Sequence, residues 1–351
     1  MTAGTRRAPK ARRPAWVRFG HLLLFGVYIA LLAGRFSLDR LSGSLPAFDL
    51  RLAMIYALGV GFLVWYLGAR EHLPPRLRAH GSLLFLVWLA WMALSAAWAP
   101  QDARIGEVLL DLGLLAGFIF IATMLMSYLP AQTTGSIWTW VFWTGLIYFA
   151  GAMVEGPGAQ GRYSAFGGGP NVFVRVMVLG AIAALYLTVT RNKARYLLAI
   201  PAFAMGAALS GSRGGLLSAA VLVVLFLVPL ARMLGTRRTI GLTLVAALGG
   251  VAILFWNNGA VLSFIHERII QQTFVEQYAS GRTDIAEQAL ALWGSNGVFG
   301  VGLDGYYALQ PVQGGFEYPH NLVLASAAEG GSIGAALLIF ALLGFLVAVR
   351  R

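Results

Sequence analysis

Residues 81–98 read Gly-Ser-Leu-Leu-Phe-Leu-Val-Trp-Leu-Ala-Trp-Met-Ala-Leu-Ser-Ala-Ala-Trp, a stretch without one charged side chain. As an α-helix it would be about 27 Å long, close to the thickness of a bilayer's hydrocarbon core. Further apolar runs of similar kind fall near 19–34, 51–68, 106–127, 137–154, 171–190, 196–210, 214–231, 239–257 and 321–349. Of the 351 residues, 58% are hydrophobic and 11% charged, against about 25% charged in an ordinary soluble domain. A single soluble core cannot hide that much apolar surface, whereas lipid can. The 43 glycines suit helices that approach one another closely in a bilayer. The expected fold is therefore all-α, a polytopic transmembrane bundle of about ten helices. No cysteine is present, which excludes disulfides, thiol nucleophiles and Cys-ligated metals.

The net charge of +12 would suggest nucleic acid in a soluble protein; here its placement matters more, and no nucleic-acid partner is expected. Six basic residues, Arg6 to Arg18, precede the first apolar run with no acid among them. No small-residue cleavage site follows that run, so the first helix is expected to be retained. With the N-terminus inside, the tail holds six Lys and Arg, the segments around Arg76, Lys193 and Arg237 three each, and the C-terminal end two. That puts 17 of the 26 inside and predicts that both ends are cytoplasmic. The division follows: a basic tail over 1–18, helices one to nine over 19–257, an outer loop over 258–320, and the last helix with a short inner end over 321–351. The outer loop is too long to be a simple connector. Asp284 and Glu287 have capping-box spacing, and Ile285, Ala289, Leu292 and Trp293 fall on one helical face, predicting an interfacial helix.

Candidate chemistry gathers on the outer side. Arg213 in Ser-Gly-Ser-Arg-Gly-Gly lies between two apolar runs, where an arginine either snorkels or meets an anion. Arg175 lies five residues after Pro170, deep enough in its helix to require an anion or an inward ion pair with Glu155 or Asp111. Arg282 precedes a helix start, where guanidinium and helix dipole both favour an anion. His320, in Glu-Tyr-Pro-His-Asn at the re-entry of the last helix, is the outer histidine best placed for proton transfer. Asn171 and Tyr318, beside Arg175 and His320, join them as candidate substrate-binding residues. The glycines at 297, 300, 302 and 305 lack a phosphate-loop context and read as loop punctuation. The outer acids are scattered, so no metal site and no cofactor are expected. One base and several arginines suit deprotonation of a hydroxyl beside a polyanionic leaving group. A transporter or flippase is the alternative, disfavoured because the polar residues collect at the outer edge and no internal repeat is seen.

In order along the chain, Leu94-Ser-Ala-Ala-Trp-Ala-Pro100, Gly169-Pro-Asn171, Ser212-Arg-Gly-Gly215, Gly281-Arg282 with Trp293, Gly300-Val-Gly302, His320-Asn321 and Glu329-Gly-Gly331 resemble the O-antigen ligase / O-antigen polymerase family of bacterial membrane glycosyltransferases. The resemblance covers about residues 80–345. It implies metal-independent, inverting transfer of a glycan from undecaprenyl diphosphate to an acceptor hydroxyl at the periplasmic face of the inner membrane. The acceptor would be lipid A-core or another glycan. By the same analogy His320 is the general base, while Arg213, Arg175 and Arg282 hold the diphosphate. The resemblance also implies about two helices beyond the Glu-Gly segment, whereas this sequence ends at Arg351.

Overall fold

The computed structural model describes residues 14–33, 44, 46–73, 80–130, 132–158, 161–212, 282–309 and 318–349, with scattered single positions between 214 and 263. Among these, regular structure is helical apart from isolated bridge residues, Pro157 paired with Tyr163 among them. The helices are α1 (Ala15–Ala33), α2 (Leu50–Ala69), α3 (His80–Leu94), α4 (Ile105–Tyr128), α5 (Gln132–Glu155), α6 (Pro170–Arg191), α7 (Ile200–Leu209), α8 (Arg282–Ser295), α9 (Gly305–Ala308) and α10 (Leu322–Val349). Among the described residues, seven spans are long and apolar enough to cross a membrane; they correspond to α1 to α6 and α10, with the short 3-10 turns after α2 and α3 extending two of them.

The expected seventh crossing is different. It is a 3-10 turn over Ala194–Ala199 followed by α7, and together they make a shorter apolar segment, Ala194–Leu209. Pro201 in the first turn of α7 accounts for the division, because proline starts a helix readily and cannot sit within one. The eighth and ninth runs, 214–231 and 239–257, lie almost wholly outside the described residues, as does the first part of the long loop.

Contacts divide the chain into two compact units. The first comprises Met1–Phe36, Phe48–Pro130 and Gly281–Arg351 and so holds α1 to α4 and α8 to α10. Leu303 enters this unit's core beside Trp88, Leu89, Met92 and Leu338, which plants the long loop between α3 and α10. Asp49 caps α2 and binds Arg51, whose guanidinium also reaches Asp111 of α4 at 2.8 Å. The second unit, Ser37–Ala47 with Ala131–Ser280, holds α5, α6 and α7. There the Phe203 ring fills the space beside Gly180, where any Cβ would meet it at 2.8 Å. This is packing through small residues, as expected where lipid supplies no hydrophobic drive between helices.

The predicted interfacial helix exists as α8, but it begins at Arg282, so Asp284 is a first-turn acid rather than the cap. Its apolar face is covered by protein: Ile285 and Ala289 are buried with Tyr306 and Ala328, and Leu292 and Leu324 pack alongside.

Candidate functional site

The central feature of the first unit is a break inside α10. Gly331 has φ 66 and ψ −166, so the helix stops and restarts there. A break in an apolar helix frees backbone groups that lipid cannot satisfy. The long loop satisfies them. Val301 N–H donates to Ala328 O at 2.9 Å and Gly302 N–H to Glu329 O at 3.0 Å, while Ser332 N–H donates to Gly297 O at 2.9 Å. Trp91 of α3 donates its indole N–H to Gly330 O at 2.8 Å, and Leu303 N–H donates to Ser95 O at 3.3 Å. The approach demands glycine at Gly300, with φ 72, where a Cβ would lie 2.5 Å from the Glu329 backbone. The glycine series read as loop punctuation is thus a splice between loop and helix.

Charges fasten the splice. Asp304 is 7% exposed and receives Arg104 through its backbone N–H at 2.9 Å, Nε at 3.0 Å and a terminal nitrogen at 3.1 Å. The same guanidinium lies 3.6 Å from the centre of the Tyr307 ring. The Glu329 carboxyl group lies beside the backbone N–H groups of Asp304 and Tyr306. Burial pushes the Tyr306 phenol above its ordinary value, so at neutral pH it remains a donor to Gln288 at 3.2 Å.

His320 stands at the start of the first segment of α10. Asn321 behind it is the cap, its Oδ1 accepting from Val323 N–H at 3.0 Å and Leu324 N–H at 3.2 Å. His320 itself is left-handed, with φ 52, a conformation uncommon for a residue with a Cβ and one found disproportionately at functional positions. Its exposed ring lies 4.3 Å from that of Tyr318, tilted by 58°. The structure therefore brings these two candidates together. Arg282 is the first residue of α8, and its side chain is outside what is described.

The other candidates belong to the second unit. Arg175 lies in the second turn of α6 and is exposed. The acids weighed as its partners are engaged elsewhere: Glu155 accepts from Phe166 N–H at 2.7 Å, and Asp111 binds Arg51. Arg213 lies outside the described residues, but the turn leading to it is well held. Arg162 Nε donates to Ser210 O at 2.9 Å and Tyr163 N–H to Leu209 O at 3.0 Å. Ser212 Oγ donates to Asn171 Oδ1 at 2.8 Å and accepts from Gly215 N–H at 3.4 Å. Asn171, expected to touch substrate, has its amide oxygen committed to this turn.

Residues 196–339 match the family model described as O-antigen ligase. Over this segment the chain is similar to the O-antigen ligase family. No curated protein and no solved structure gives a significant match. The apolar spans make the chain a multi-pass membrane protein, and the match over 196–339 supports a membrane glycosyltransferase of the O-antigen ligase or polymerase type in general character.

The O-antigen ligase segment contains the Ser210–Gly215 turn, α8, the splice, His320 and the break in α10. Arg104, Arg162, Asn171 and Arg175 precede it. Sequence reasoning gave Arg104, Asp304 and Arg162 no role in a site and used Glu329 only within the Glu-Gly-Gly motif. Glu329 carried a usable signal, an acid inside an apolar run followed at once by two glycines. The Arg104–Asp304 pair carried none, since its members are two hundred positions apart.

Proposed function

We propose that this protein transfers a glycan from undecaprenyl diphosphate to an acceptor hydroxyl at the periplasmic face of the bacterial inner membrane, without a metal and with inversion. The observation that carries the reading is the His320–Tyr318 pair, set at the head of α10 within the O-antigen ligase segment. In the reaction His320 accepts the proton of the acceptor hydroxyl. The acceptor oxygen attacks the anomeric carbon, the bond from that carbon to the diphosphate oxygen breaks, and undecaprenyl diphosphate departs with the electron pair. One displacement with no covalent intermediate inverts the anomeric centre. Tyr318 supports the imidazole and offers a hydroxyl to the acceptor.

Arg213, Arg175 and Arg282 take the diphosphate. Arginine suits this task because it stays charged and donates two parallel hydrogen bonds to phosphate, and stabilising the departing charge is usually the largest catalytic contribution. The acceptor is lipid A-core or another glycan, presented together with membrane lipid. The charge asymmetry between inner and outer segments supports cytoplasmic ends and a periplasmic site.

The break in α10 favours a second reading to one degree, because transporters build substrate sites from discontinuous helices. Here the chain's own loop occupies the break, which favours the enzyme. The test is reconstitution in vesicles with an undecaprenyl-diphosphate glycan, candidate acceptors and excess EDTA. Transfer that persists in EDTA and falls at least a hundredfold in Arg213→Ala is expected. Movement of the donor across the bilayer with no glycosylated product would establish the transporter instead.

A further inference from the structure

We propose that Asp304, Arg104 and Glu329 are positioning residues that lock the break in α10 and thereby aim His320; the inference rests on the proposed role of His320 as base. His320 rides on a short helical segment, Leu322–Gly330, joined to the rest of α10 only through the non-helical Gly331. A two-part helix of this kind has a natural hinge, and its angle is set by whatever fills the break. What fills it is the 297–303 loop, bonded to Ala328 and Glu329 on the near side and to Ser332 on the far side. Trp91 anchors Gly330 from α3.

The loop is held in turn by the two-pronged Arg104–Asp304 pair, which ties it to the start of α4. Asp304 is in the left-handed region, with φ 58, and its carboxylate is nearly buried, so the pair is a fixed feature of the fold. Glu329, on the hinged segment itself, closes the circuit by facing the amides of Asp304 and Tyr306. An ionisable side chain retained within an apolar helix calls for a role; this one links the moving part to the lock. The three act on the loop and on the far end of the segment, so their effect on the reaction runs through the angle of that segment.

The test pairs hydrogen exchange with kinetics on the full chain in nanodiscs. Asp304→Ala is expected to raise amide exchange at least tenfold in 297–303 and 322–330 while leaving 334–345 unchanged. With an undecaprenyl-diphosphate glycan as donor, it should lower kcat at least tenfold per folded molecule and leave the donor KM within twofold. Asp304→Asn accepts the left-handed conformation and keeps an acceptor for the Arg104 amide; it should recover much of the loss. Glu329→Gln, which still accepts hydrogen bonds, should be milder than Glu329→Leu by the same measures. Unchanged exchange in 322–330 would overturn the lock. Raised exchange with unchanged kcat per folded molecule would overturn the positioning role. Were the wild-type protein to transfer no glycan, the assignment of His320 would fail along with the aiming role, while the exchange data would still decide whether the lock exists.

Discussion

Substituting Gly331 by alanine tests the splice at its tightest point. The residue has φ 66 and ψ −166, a region reserved for glycine, and forcing another residue into it costs about 1–3 kcal/mol. A Cβ there would also run into the Val298 carbonyl and come within 2.6 Å of Gly300 N. Both neighbours are backbone, so neither can swing aside. Relief requires expelling the loop, with loss of the bonds from Val301, Gly302 and Ser332. At roughly 0.5–1.5 kcal/mol for each hydrogen bond, these add about 1.5–4.5 kcal/mol. The total, about 3–7 kcal/mol, corresponds to a fall in Tm on the order of 10 °C for a chain of this size. The ten tryptophans make intrinsic fluorescence the natural probe, since a thiol-reactive dye has no cysteine to report on. Gly113→Ala in α4 is the control: nothing lies within 4 Å of its Cβ, so it should melt at or slightly above the wild-type temperature. A Gly331→Ala protein melting within about 2 °C of wild type would refute the reasoning.

The bridge at the head of α2 and α4 gives another prediction. Asp111→Ala leaves Arg51 to Asp49 alone and should cost on the order of 1–3 kcal/mol, read as a lower midpoint in the same melt. Asp49→Ala should cost about 1 kcal/mol for the lost cap, with more from Arg51. Asn171→Ala frees Ser212 Oγ; if the turn presents Arg213, the donor KM should rise several-fold with little change in Tm, and an unchanged KM would contradict that. Trp91→Phe keeps the ring and removes the bond to Gly330 O, so the melt should fall by a cost of about 1 kcal/mol.

The membrane helices were plain in the sequence because their signal is local: eighteen or more apolar residues in a row mean a span whatever surrounds them. The seventh run shows the limit, since only the placement of Pro201 turns it into a shorter, divided segment. The site was partly legible. His320 stood out through its position before Asn321, and the pairing with Tyr318 is local. The splice was not legible, because its two tightest glycines are explained by backbone from a distant segment: Gly300 by Glu329, and Gly331 by Val298. Asn171 was read from its place at a helix start, and its bond to Ser212 was not legible because it crosses 41 positions. Helix α8 was seen as amphipathic, and only the fold reveals that Tyr306 and Ala328, rather than lipid, cover its apolar face.

The central claim is that His320 removes the proton from the acceptor hydroxyl. Its most direct test is the rate of transfer from an undecaprenyl-diphosphate glycan, with donor and acceptor saturating, in wild type and in His320→Ala. The variant should fold and melt like the wild type, because the side chain is exposed and Asn321 supplies the cap. Its kcat should fall by about 10² to 10⁴, the range that general base catalysis contributes. A His320→Ala protein that transfers glycan at the wild-type rate would contradict the account.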